Sequence, residues 1–321
     1  MAEQQALITV QGLKKYYPVK KEHLFRRERQ FIRAVDGVSF ELNSAQTLGL
    51  VGESGCGKST VGKLLAGIEE LTQGEILRHG NRRIQMIFQD PYASLNPRKR
   101  VYDIIAEPML WHGLTDKEHA QERVGQLLRD VGLLENAMER YPHEFSGGQR
   151  QRISIAKALS LEPSVIICDE PVSALDMSVQ AQVLNLFQDL QEKRGLSYLF
   201  IAHGLGAVHY ISHRTAVMYL GKIVEIADGD EIYRAPKHPY TRMLIASVPV
   251  ADPVGREERE VSISGEVPSA IHIPEGCRFC GRCPYADADC QRRDPDLTET
   301  EPGSGHFIAC LHPNGVRREN S

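Results

Sequence analysis

The chain has 321 residues, 41% of them hydrophobic and 25% charged, enough for one large core or two ordinary ones, which excludes a disordered or low-complexity protein. A formal net charge of −4 gives no global basic field for nucleic acid. The first five residues lack a basic region leading into an apolar core, and no stretch approaches about 18 uninterrupted apolar residues, so the protein is expected to be neither exported nor membrane-spanning and to reach a membrane only through a partner.

Residues 6–10 alternate weakly as a strand and run on to Tyr16 and Tyr17. Lys20, Lys21, Arg26, Arg27 and Arg29 make a basic loop, read as a solvated face or as a contact for lipid headgroups or a partner. Residues 34–42 alternate as a second strand, and 48–51 form a buried strand that feeds Gly52-Glu53-Ser54-Gly55-Cys56-Gly57-Lys58-Ser59. A helical pattern follows from Thr60 to Ile68. This is a full match to G-x-x-x-x-G-K-[ST] in a strand, loop and helix setting. Its glycines let the backbone curl so that N–H groups converge on an anion at the positive end of a helix. Lys58 is expected to reach the β- and γ-phosphates and the Ser59 hydroxyl to hold magnesium.

Short strands are expected at 74–77 and 84–88, the latter ending at Gln89, where a polar amide leaves the carboxyl end of a strand. Residues 91–142 read as helical, with Thr115 and Glu118 as a capping box and Ala120, Val124, Leu127, Leu128 and Val131 on one face. Ser146-Gly147-Gly148-Gln149 opens a further helix that runs to Pro163, with Ser146 as N-cap and the glycines leaving the first amides accessible. The apolar run 165–168 has the mark of a parallel strand covered on both faces, and it ends in Asp169-Glu170. Asp169 is placed to bind magnesium through water and Glu170 to polarise an attacking water. Ser178 is expected to cap a helix carrying Val179, Val183, Leu186, Phe187 and Leu190 inward. Residues 197–202 form the next buried strand, ending at His203, and 215–226 read as a hairpin about a glycine-first turn at Gly221-Lys222.

Beyond Asp228 the composition turns to proline-punctuated pieces, and a boundary is set near residue 230. A second anion-binding helix start at Ser146 has little use against one ligand in one chain. It points to a dimer in which each phosphate loop is covered by the partner's serine-glycine turn.

Taken together, Gly52 to Ser59, Gln89, Phe145 to Gln149, Val165 to Glu170, Ser173-Ala174-Leu175-Asp176 and His203 resemble the Walker A, Q-loop, signature, Walker B, D-loop and switch-histidine motifs of ATP-binding cassette proteins. The resemblance implies an α/β P-loop NTPase cassette over 1–230, with a mixed or parallel core sheet, an antiparallel β subdomain and a helical subdomain over about 91–160. It implies a head-to-tail sandwich, ATP contacts from Gly52 through Thr60, magnesium held by Ser59, Gln89 and Asp169, Glu170 as base and His203 at the γ-phosphate. Tyr17 matches the adenine-stacking aromatic, with Tyr16 its neighbour; either also reads as an interfacial core aromatic.

Asp90 to Arg98, Tyr141 to Ser146, His238-Pro239-Tyr240-Thr241 and the tail cysteines narrow the resemblance to ATPases of dipeptide, oligopeptide and nickel importers, most of all the second ATPase subunit of dipeptide systems. This implies ATP-driven solute uptake, a heterodimer with a sister ATPase, two membrane permeases docked near 91–108, an extracytoplasmic solute-binding protein, and residence on the cytoplasmic face of the inner membrane. Nickel or another small solute is the alternative cargo. A soluble cassette ATPase acting on ribosomes or nucleic acid is the reading from another class, but that type carries two cassettes in one chain and its cysteines in front. Two departures stand out: the 75–84 segment is short, and Gly204 follows the switch histidine where the family commonly has Asp.

Cys277, Cys280, Cys283, Cys290 and Cys310 crowd the C-terminal extension, 231–321, and in a chain without an export signal this favours metal over disulfide. Spacing alone permits zinc as readily as an iron–sulfur cluster. The family pattern matches Cys277, Cys283, Cys290 and Cys310 and implies a four-iron four-sulfur cluster, with Cys280 spare and the cluster tying down a coreless tail.

Overall fold

The computed structural model describes residues 5–19, 30–80, 82–247 and 268–313, so the expected basic loop at 20–29 lies outside the described residues. In chain order the elements are β1 (Ala6–Pro18), β2 (Phe31–Asn43), β3 (Thr47–Val51), α1 (Lys58–Leu65), β4 (Gln73–Arg78), β5 (Ile84–Ile87), α2 (Pro91–Ser94), α3 (Val101–Trp111) and α4 (Ala120–Asp130). They continue with α5 (Gly147–Leu159), β6 (Val165–Asp169), α6 (Met177–Arg194), β7 (Ser197–Ala202), α7 (Leu205–Ile211), β8 (Arg214–Tyr219) and β9 (Lys222–Asp228). The last are α8 (Gly229–Arg234), α9 (Pro239–Ala246), α10 (Ala288–Arg292), β10 (Thr298–Glu299) and β11 (Phe307–Ile308). By packing, the described residues form two units: one from 5–8, 42–47 and 78–202, the other from 9–41, 48–77 and 203–313. The tail clusters with the residues of the phosphate loop in the second unit.

In the first unit β5, β6 and β7 are parallel, with Ile84 opposite Val165 and Val165 opposite Ser197. Every residue of β6 and β7 is buried, as a strand with both faces covered requires, and this accounts for their unbroken apolar runs. The helical part buries Val101, Ile105 and Met109 of α3 with Val124 and Leu128 of α4, each removal from water stabilising by about 1.5–3 kcal/mol. Two expected helix starts move. Thr115 caps nothing; Asp116 accepts the His119 N–H at 2.9 Å in a separate turn, and α4 begins only at Ala120. Ser178 lies inside α6, whose N-cap is Asp176.

In the second unit β3 and β8 are parallel while β8 and β9 are antiparallel, so the sheet is mixed. β9 continues through β11 to β10. A separate three-stranded sheet runs β2-β1-β4. The β8–β9 turn sits one residue earlier than expected: Tyr219 pairs with Lys222, leaving Leu220 and Gly221 as the central residues at φ 41° and 83°. Two positive φ values match the right-handed twist of the strands, and leucine pays the steric cost that the glycine-first reading avoided.

Candidate functional site

The phosphate-loop sequence folds as a glycine-ruled turn. At Gly52 (φ 154°) an added Cβ would lie 2.1 Å from the Met218 carbonyl oxygen, and at Gly57 (φ 109°) 2.0 Å from that of Ala34. Both glycines are thus required by close backbone approach and by conformation. Gly57 is the N-cap of α1 without any side-chain cap, so the helix start keeps its amide donors unblocked by a side chain. Lys58 is 4% exposed, and its ammonium donates to the carbonyls of Gly52 at 2.7 Å and Glu53 at 3.0 Å. Cys56 is buried, which pushes its thiol up.

Three tail residues grip this loop and its supports. The Glu53 N–H donates to the Tyr240 hydroxyl at 2.8 Å, and the Glu53 carboxylate receives both terminal nitrogens of Arg282 at 2.7 and 2.9 Å. Tyr240 is fully buried, its ring packed at a tilt against Tyr219 and Phe279 at 4.7 and 5.4 Å between centroids. Arg278 bonds Asp36 and the Leu220 carbonyl. Asp36 also accepts from Tyr16, and the Asp36 N–H donates to Gly221. The His238-Pro239-Tyr240-Thr241 segment opens α9, the His238 Nδ1 accepting from the Tyr240 N–H at 3.0 Å while the His238 N–H donates to Glu225. Tyr17 donates to Glu69, and burial together with that bond raises its phenol to about 12.

In the first unit the Gln89 side-chain amide donates to Glu170 at 2.9 Å, bringing together two residues 81 apart in sequence. Asp169 is buried at the end of β6, and Glu170, the next residue, holds φ 49°. A non-glycine residue in the left-handed region costs on the order of 1–2 kcal/mol. That conformation is held by the Glu170 N–H bond to Ile201 and by the Ser173 hydroxyl bond to the Glu170 carbonyl. Ser146 and Gln149 form the expected reciprocal capping box. Gly147 and Gly148 face α6 or the residues before it: an added Cβ would meet Leu175 at 3.5 Å and Val179 at 2.3 Å respectively. Ser173, Ala174 and Asp176 are exposed. In the second unit His203 is exposed, and Gly204 caps α7 at φ −100° with open space where a side chain would go.

The tail cysteines are tied by backbone bonds, Cys277 N–H to Cys290 and Cys280 N–H to Cys277. Burial raises the Cys277 thiol to about 12 and that of Cys310 to about 11. Four thiolates around one zinc need sulfurs about 3.8 Å apart, from the ~2.3 Å Zn–S bond. Among the described residues three candidate ligand atoms come within 4.8 Å of one another only at Asp287, Cys290 and His312, so no three cysteine sulfurs are that close. Asp287 accepts the Cys290 N–H and pairs with His312 at 2.8 Å, a support for Cys290 rather than a thiolate cage.

The ABC transporter family profile matches residues 35–173, and the profile described as oligopeptide/dipeptide transporter, C-terminal region, matches residues 224–290. The oligopeptide transport ATP-binding protein AppF of Bacillus subtilis is 48% identical over 96% of this chain and 98% of its own length. The chain belongs to the ABC transporter family, among its oligopeptide/dipeptide-type ATP-binding proteins. The dipeptide transport ATP-binding protein DppF of Escherichia coli is 47% identical over 96% of this chain and 95% of its own. The cassette fold is shared with MJ0796, solved as a dimer with ADP and Pi (TM-score 0.59, 22% identity, 69% of this chain and 98% of that one). It is shared too with cbiO1 of Clostridium perfringens (TM-score 0.61, 23% identity, 72% and 91%).

Membership makes the chain an ATPase that works with ATP and Mg2+ and serves a membrane transporter. Among the described residues no helix is long and apolar enough to cross a membrane. The contacts of Tyr240, Arg278 and Arg282 with the loop and its supports are not foreseen by the sequence reading. Their partners lie 187, 242 and 229 residues away, and the available signals are the His238-Pro239-Tyr240-Thr241 segment and the basic side chains set between cysteines.

Proposed function

We propose that this ABC ATPase powers import of dipeptides or oligopeptides. The observation that carries the reading is that the likeness to oligopeptide and dipeptide transport ATP-binding proteins runs through the tail as well as the cassette. In this reading the Gly52 to Thr60 loop holds the ATP phosphates, Lys58 contacts the β- and γ-phosphates, and Ser59, Gln89 and Asp169 bind magnesium. Glu170 takes a proton from the attacking water, His203 contacts the γ-phosphate, and Tyr17 stacks on adenine. The Gln89 bond to Glu170 supports joint action of a metal contact and a base, and the strained Glu170 backbone supports a site rather than a surface turn. Ser146, Gly147, Gly148 and Gln149 cover the triphosphate of a sister ATPase, with Ser173 to Asp176 beside the joint.

Two permeases dock on the helical part and hold the ATPase at the cytoplasmic face of the inner membrane, fed by an extracytoplasmic solute-binding protein. A groove of about 480 Å³ along α3 supports this: Tyr102, Ala106, Leu110 and Trp111 line it between the charges of Lys99, Asp103 and Glu107, and Trp111 is 86% exposed. Cys277, Cys283, Cys290 and Cys310 hold a four-iron four-sulfur cluster that ties down the tail. The reading rests on the family pattern matched by these four cysteines, all of which lie in the described tail. The test is co-purification of the whole complex and measurement of its ATP hydrolysis with the loaded solute receptor. Stimulation by peptide-loaded receptor is expected; stimulation by nickel-loaded receptor alone would move the cargo to metal.

A further inference from the structure

The turn that carries Cys277, Cys280 and Cys283 is spent, residue by residue, on the nucleotide loop and the strands beneath it. Arg278 is 5% exposed and holds Asp36 and the Leu220 carbonyl; Phe279 is 2% exposed and packs between Tyr219 and Tyr240. Arg282 reaches Glu53 through two parallel bonds, its side chain 5% exposed and that of Glu53 25%. The guanidinium also lies 5.9 Å from the ring centroids of Tyr219 and Phe279, so its plane is fixed from several sides. Such a bidentate, partly desolvated pair is among the stronger polar contacts and carries orientation as well as energy. Glu53 itself is held at both ends, by Arg282 on its carboxylate and by the Tyr240 hydroxyl on its N–H.

We propose that Arg282, acting through Glu53, is a positioning residue for the phosphate loop, so that the state of the cysteine-bearing turn sets the affinity for ATP. Glu53 stands beside Gly52 at the entry of the loop, and the Lys58 ammonium uses the carbonyls of both. A shift of Glu53 therefore moves the acceptors that aim the Lys58 side chain. The order of the turn and the occupancy of the loop are linked reciprocally: what orders one favours the other.

The proposal rests on the reading of Gly52 to Ser59 as the ATP phosphate site, and the experiment separates the two. Binding of a fluorescent ATP analogue with Mg2+ is titrated on the full chain for wild type, Arg282→Gln, Glu53→Gln, the double variant, Tyr240→Phe, Cys283→Ser and Lys58→Ala, with melting curves for each. Arg282→Gln is expected to weaken binding about tenfold, the scale of losing a charge-assisted pair. The double variant should be no weaker than Arg282→Gln alone, and Tyr240→Phe, which keeps shape and loses the acceptor, should weaken binding a few-fold. Cys283→Ser should weaken binding in the wild-type background and change nothing further when Arg282 is already Gln. Full affinity in a folded Arg282→Gln, or additive losses in the double variant, overturns the clamp. Wild-type binding by Lys58→Ala would instead overturn the site reading itself.

Discussion

Replacing Gly148 by alanine separates two reasons for a glycine at the start of α5. The added Cβ would stand 2.3 Å from the Val179 Cγ1 while remaining 3.8 Å from its Cβ, so one methyl of a β-branched, stiff side chain carries the clash. Relieving it by rotamer or helix displacement costs roughly 1–3 kcal/mol. The better helix preference of alanine returns at most about 1 kcal/mol, less in a first turn. The net expectation is up to about 2 kcal/mol of destabilisation, a drop of a few degrees in melting temperature. Val179→Ala removes the offending methyl at a cost of about 1 kcal/mol for a half-buried side chain. The double variant Gly148→Ala, Val179→Ala should then melt no lower than Val179→Ala alone. Hydrolysis by the assembled transporter behaves differently under the proposed role: with a methyl on the amides that cover the partner's triphosphate, Gly148→Ala and the double variant both lose at least about tenfold, and Val179→Ala keeps its rate. A double variant that regains stability and hydrolysis together would show that the glycine serves only packing against Val179 and would remove the signature turn from the nucleotide site.

Glu170→Gln should retain ATP binding and accumulate closed dimers on size exclusion, because the base is gone while the contacts remain; undiminished steady-state hydrolysis would contradict the assignment. Burial lowers the His238 imidazole from 6.5 to about 4, so folding favours its neutral form. That contribution is complete above the unfolded value and is lost as pH falls from 6.5 toward 4, about 3 kcal/mol in all. His238→Asn, which still offers an acceptor to the Tyr240 N–H, should flatten the acid limb of melting temperature against pH, and an unchanged limb refutes the cause. Protein purified without oxygen should show broad visible absorption from sulfur-to-iron charge transfer, whereas colourless protein with stoichiometric zinc would overturn the cluster. Trp111→Glu should leave the unfolding free energy within about 0.5 kcal/mol of wild type, as for an exposed side chain, and reduce co-purification of the permeases; equal recovery of permeases would place their docking elsewhere.

What the sequence made legible was what local rules determine. The phosphate loop follows from glycine conformation over eight residues, and the α5 start from a serine and a glutamine three positions apart, so both could be read without knowing anything distant. The apolar runs of β6 and β7 likewise announced strands covered on both faces. Where two local rules competed, position slipped. Asp116 outbid Thr115 by building its own turn, and Leu220 took a positive φ that composition would assign to a glycine, because strand twist sets the hairpin. The grip of Tyr240 and Arg282 on Glu53 was out of reach for a different reason. The His-Pro-Tyr-Thr segment and the arginines between cysteines are visible as text, but what they hold is decided by packing across some two hundred residues.

That grip alters how the phosphate loop itself is understood. On one side the loop is confined by backbone that cannot yield: the carbonyl of Met218 behind Gly52 and that of Ala34 behind Gly57. On the other it is confined by side chains, the Tyr240 hydroxyl and the Arg282 guanidinium, both carried by the tail. A loop held from both sides loses little conformational freedom when a ligand arrives, so more of the phosphate contact energy appears as affinity. The two kinds of wall differ in one respect. The carbonyl wall is built from the same strands that carry the core, and it cannot change without unfolding them. The side-chain wall rests on the 277–283 turn, which buries Arg278 and Phe279 and holds Arg282 on Glu53. A fold that needed only a rigid loop could have used backbone on both faces; placing part of the confinement on the tail ties the loop's geometry to the turn that carries Arg282.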